Sequence, residues 1–140
     1  MVDLRRMRYL MQRLPMARLN VERAMSRATK VTSTLSDMPH GSGVSNPVAD
    51  GVERLTEAKA ALQRLQGELH EMQAQLMPVI DELDNPLERT VMQMRYMDGI
   101  SAWDIAYGLN YSERQIFRIL KKAESRTTEK MSVMSVTNVI

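Results

Sequence analysis

The sequence predicts an all-α fold: a long antiparallel, coiled-coil-like helical hairpin followed by a C-terminal three-helix domain of helix-turn-helix type. Three observations carry this expectation. Met, Leu, Ala, Glu, Gln and Arg dominate the 140 residues, and β-branched residues are sparse outside the last ten positions. Two long stretches repeat apolar residues every seven positions, with a Pro- and Gly-containing stretch between them. Beyond them, three short segments each begin on a capping residue.

Residues 2–35 form the first predicted helix. Leu4, Met7, Met11, Leu14, Val21, Met25, Ala28 and Leu35 recur in alternating steps of three and four, with Arg18 interrupting the seam. Pro15 removes an N–H from the ladder and predicts a kink. Residues 36–47, SDMPHGSGVSNP, read as a loop, because Pro39, Gly41, Gly43 and Pro47 do not continue a helix. Residues 48–83 form the second helix. Leu55, Leu62, Leu69, Leu76 and Leu83 recur every seven residues, with Ala58, Leu65, Met72 and Val79 between them. A stripe this narrow needs a facing helix. Residues 1–30 carry a net charge of +6 and residues 48–85 a net charge of −5, which favours pairing the two. Each surface ion pair contributes only about 0–1 kcal/mol, so charge selects the partner and apolar burial stabilises it. The stripe of the second helix is longer than one kinked partner covers, which predicts a homodimer or higher homo-oligomer built through residues 1–83.

Asp84-Asn85-Pro86 opens the next helix with a capping side chain and a proline at its first turn. It runs to about Met97 with Leu87, Val91, Met94 and Met97 inward, and Asp98-Gly99 stops it. Ser101 caps the segment AWDIAYGL, and Asn110 takes the left-handed position after it. Ser112 caps the last helix, ERQIFRILKKAES. Two short helices joined by a three-residue turn form the helix-turn-helix pattern. Ile105, Leu109, Ile116 and Ile119 supply its core, Ala106 allows close approach, and Tyr111 plugs the turn. Domain limits fall at 1–83, 84–126 and 127–140, the last read as a flexible tail with no helical stripe.

With Ile116, Ile119, Leu120 and Ala123 turned inward, the last helix leaves Ser112, Glu113, Arg114, Phe117, Arg118 and Lys121 outside. Residues 112–126 carry a net charge of +3. Such a helix suits the major groove of duplex DNA. Arg114 and Arg118 can read guanine, Phe117 can meet a thymine methyl, and Lys121, Lys122 and Arg126 suit phosphates.

Residues 84–124, DNPLERTVMQMRYMDGISAWDIAYGLNYSERQIFRILKKAE, resemble region four of sigma-70 family factors. The shared skeleton is P-x-E-R, then M-R-Y, then S-x-x-D-I-A, then L-x-Y-S, then a basic helix. The whole chain is similar to small phage-encoded, sigma region four-like regulators, which share a stretch like ATKVTSTLSDMPHGSG at residues 28–43. Those proteins resemble late transcription activators of phages and prophages. The resemblance implies a DNA-binding transcriptional regulator working in the cytoplasm of a bacterial host, with RNA polymerase as a further partner. Glu113-Arg114-Gln115-Ile116-Phe117-Arg118 departs from the more charged start of the recognition helix in sigma factors, so their −35 specificity does not carry over.

Two other classes compete. Small terminase subunits also join a helix-turn-helix to an oligomerising coiled coil, though they usually place it first. A module that only binds polymerase is the other. An enzyme is not expected, because no Cys, paired His, Gly-rich phosphate loop or H-E-x-x-H is present, and His40 and His70 stand apart. For the same reason no catalytic, cofactor or metal residue is assigned. No run of 18 apolar residues predicts a membrane span, and the basic N-terminus lacks the apolar stretch of a signal peptide.

Overall fold

A computed structural model describes residues 2–35 and 47–138, and, of these, the side chains outside 31–35, 47 and 135–138. Every regular element among the described residues is helical. In order these are α1 (Leu4–Leu35), α2 (Pro47–Asp81), α3 (Pro86–Met92) with a π-helical continuation at Gln93–Met97, α4 (Ala102–Leu109) and α5 (Glu113–Asn138). The loop expected at 36–47 lies outside the described residues except for Pro47, which starts α2.

The chain divides into two compact units, residues 1–9 with 69–140, and Leu10–Glu68.

In the first unit, Leu4 and Met7 of α1 and Leu76, Val79, Ile80 and Leu83 of α2 and its end are buried. So are Val91, Met92 and Tyr96, Ile105 and Ala106 of α4, and Ile116, Leu120, Ala123 and Met131 of α5. The last turn of α2 tightens into i→i−3 bonds, Glu82 N–H to Val79 O at 3.2 Å and Leu83 N–H to Ile80 O at 3.0 Å. Asn85 then caps α3 by accepting from Leu87 N–H at 2.9 Å and Glu88 N–H at 3.3 Å, with Pro86 in the first turn, where its missing N–H costs nothing.

The helix begun at Pro86 does not keep an α repeat to Met97. Asp98 N–H reaches back five residues to Gln93 O at 3.0 Å. The extra residue shifts the phase. Met94 and Met97, expected inward, are half-buried, and Met92 and Tyr96 fill the core instead. Gln73 of α2 donates its side-chain amide to the Tyr96 carbonyl at 3.0 Å, satisfying an acceptor that a wide turn leaves open. Gly99, at φ 70°, ends the element in a conformation glycine adopts without strain.

Two further expectations are corrected. The last helix does not end at residue 126 with a non-helical stretch beyond it, because α5 continues unbroken to Asn138. Thr127 and Met131 extend its inner stripe and are buried, and the Thr127 hydroxyl donates to Ala123 O at 2.6 Å. Tyr111 does not plug the turn. It is 38% exposed, and only its N–H points back, to Ala106 O at 3.0 Å.

In the second unit, Leu10, Leu14 and Ala17 of α1 are buried, while Val21, Ala24 and Ala28 are half-buried. On α2, Leu55, Ala58, Ala61, Leu62 and Leu65 are also half-buried. The two helices approach closely at Gly51, where a Cβ would lie 3.5 Å from Ala28 Cα.

Candidate nucleic-acid interface

α4 and α5 owe their limits to local chemistry. The Ser101 hydroxyl accepts from Asp104 N–H at 3.2 Å and starts α4. Asn110, at φ 60° and ψ 38°, ends it in the left-handed region that Asn tolerates. Ser112 and Gln115 then form a reciprocal cap. Gln115 N–H donates to the Ser112 hydroxyl at 3.1 Å, and Ser112 N–H donates to Gln115 Oε1 at 2.9 Å.

The cap fixes the phase of α5. Ile116, Leu120, Ala123, Thr127 and Met131 turn inward at helical spacing. Arg114, Phe117, Arg118 and Lys121, spaced i, i+3, i+4 and i+7, therefore share the outer face. All four are exposed, Phe117 at 55%, and Lys122 is exposed beside them. No side-chain hydrogen bond or ion pair engages Arg114, Arg118, Lys121 or Lys122 among the described residues. Ser112 is exposed at the start of this face, whereas Glu113 is half-buried rather than wholly outside.

Arg126 differs from the other cations. Its Nη1 lies 2.5 Å from Oε1 of Glu88, a carboxylate buried in α3. No sequence pattern singled out Glu88, since 38 residues separate the two partners.

A second tie holds α5 from its other side. Arg8 Nη1 donates to the Tyr96 hydroxyl at 2.7 Å, and that hydroxyl donates to Glu124 Oε1 at 2.9 Å. Arg8 also stands 3.6 Å from Glu124 Oε2. Burial, and then the Glu124 charge, push the Tyr96 hydroxyl up to about 12, against the opposing pull of Arg8.

The sequence pattern alone did not single out Trp103 and Tyr107. They lie four apart on α4, 65% and 84% exposed, opposite the buried Ile105 and Ala106. Their signal was present as the aromatic remainder of α4 once the inward residues are removed.

Among the described residues no group of His, Cys, Asp and Glu gathers as a metal site, and no helix is long and apolar enough to cross a membrane. Residues 30–128 match the family described as Protein of unknown function (DUF1492). The match covers α2 to α4 entirely and much of α5, and the chain belongs to this family. No curated protein and no solved structure matches the chain.

Proposed function

We propose that this protein is a sequence-specific transcriptional regulator of phage or prophage origin, not an enzyme, acting inside a bacterial host by binding duplex DNA. In this reading α4, residues 110–112 and α5 form a sigma region four-like helix-turn-helix, with α5 as the recognition helix. α1 and α2 form a helical hairpin.

The observation that carries the reading is the outward stripe of Arg114, Phe117, Arg118 and Lys121, four exposed side chains on one face of a capped helix. A solvated face would not call for an exposed Phe between two Arg. Arg presents paired donors to guanine N7 and O6, and the Phe ring suits a thymine methyl. Lys121 and Lys122 suit phosphates, while Arg126, engaged by Glu88, is the least available of the proposed contacts.

The test is a titration of the chain with fragments of phage genomic DNA. Arg114→Ala and Arg118→Ala should each weaken specific binding by about 1–3 kcal/mol and relax preference at one base position. Unchanged affinity for specific and non-specific duplex would remove α5 as the reader. The exposed Trp103 and Tyr107 favour one second reading, a module that docks on host RNA polymerase, since aromatic side chains anchor protein interfaces. Retention of packaging-site fragments in place of promoter fragments would instead favour a small terminase role.

A further inference from the structure

In the second unit a groove of about 790 Å³ runs between α1 and α2. Its floor is made of small residues, Ala17 and Ala24 of α1 with Ala58 and Ala61 of α2. Met16 lines it while 54% exposed. Small side chains at heptad spacing let another helical layer approach closely, and the half-buried Leu65 of α2 lines the same groove.

The rims differ in charge. The α1 side is wholly cationic and includes the exposed Arg23 and Arg27, whereas the α2 side carries the exposed Asp50 and Glu57 against Arg54. A copy related by a twofold axis presents the same groove. If α1 lay over α1 of the copy, cations would face cations. If α1 lies over α2 of the copy, the cationic rim meets the acidic rim, and symmetry repeats that match.

We propose that this groove is a homodimer surface, in which two α1–α2 layers pack face to face with α1 of one protomer over α2 of its partner. The groove follows α1 from Arg13 to Lys30, about 25 Å at 1.5 Å per residue. Two helices of about 10 Å diameter make the face about 20 Å wide, or roughly 1,000 Å² buried by the pair. That is the lower edge of specific interfaces. The proposal does not depend on the DNA-binding reading.

Light scattering on the full chain at about 50 μM should give twice the 16.0 kDa chain mass. A 16.0 kDa species overturns the proposal whatever the variants do. Two variants test the arrangement, with circular dichroism confirming retained helix. Arg23→Glu with Arg27→Glu places acidic side chains on both rims, and Asp50→Lys with Glu57→Lys makes both rims basic. Each alone should raise the dimer dissociation constant at least ~10-fold, because opposed like charges are unfavourable. An equimolar mixture should restore association, since both cross-contacts then join opposite charges. If the lysine variant dimerises as well as the unmodified chain, or the mixture stays monomeric, α1 does not lie over α2 of the partner.

Discussion

Arg126 shares α5 with the four outward cations, yet its guanidinium serves the buried Glu88 carboxylate. Among the described residues Glu88 Oε2 is buried with no hydrogen-bond partner, and Arg126 alone offsets that charge by direct bonding. Arg126→Ala should therefore destabilise the fold by about 2–3 kcal/mol, below the usual cost of breaking a buried pair because the Arg side chain is partly solvated. Lys122→Ala should change stability by less than about 0.5 kcal/mol. Urea denaturation of both variants checks the contrast, and Glu88→Gln should recover much of the loss in the Arg126→Ala background. Tyr96 makes a different prediction. Its hydroxyl, near 10 in an unfolded chain, is held at about 12 in the fold. The neutral form is thus favoured by folding. Its contribution is whole below about pH 10 and is lost as pH rises toward 12. The denaturation midpoint should fall over that window, and Tyr96→Phe should flatten the fall.

At the scale of elements, α5 runs past the last residue that its recognition-helix pattern requires. TTEKMSVMSVTN contains poor helix formers, which is why the sequence suggested a tail. Three hydroxyls find acceptors one turn back: Thr127 on Ala123, Thr128 on Glu124 and Ser132 on Thr128. Met131 adds apolar burial, and full burial of a Met side chain contributes about 1.5–3 kcal/mol. Thr127 and Met131, both buried, tie this end of the helix to the core. Truncation after Arg126 should accordingly lower stability by at least about 2 kcal/mol in thermal or urea melts. An unchanged melting temperature would show that Met131 contributes nothing.

For the whole molecule, the sequence made legible those features that depend on neighbours along the chain. Asn85, Ser101, Asn110 and Ser112 act within three residues of themselves, and each stands where the sequence placed it. The outer stripe of α5 came from the Ser112 cap and a 3.6-residue period. The Arg8–Tyr96–Glu124 tie, the Arg126–Glu88 pair and the grouping of residues 1–9 with 69–140 join distant positions, and no local pattern encodes them. A heptad stripe announces a covered face without naming the cover. Charge behaves similarly. The net +2 of the chain says little, while the exposed Arg114, Arg118, Lys121 and Lys122 define a local field. With Lys121 and Lys122 on phosphates and Arg126 held back, log affinity should fall against log salt with a slope of about −2. A slope near zero in filter binding would speak against the DNA interface as a whole.

The five-residue reach from Gln93 to Asp98 bears on how related chains can differ in length. In an α-helix, losing one residue turns everything beyond it by about 100°. Such a loss within Pro86–Met92 would swing the buried Glu88, Val91 and Met92 out of phase with Tyr96 and the rest of the core. Within Gln93–Met97 the same loss would convert the wide turn into an ordinary one, and the change would be absorbed where it occurs. This turn is thus a slack link, where chains one residue apart can keep the same caps and core. A structure of a chain one residue shorter there would show whether Gln73 gives up the Tyr96 carbonyl while α4 and α5 stay in place.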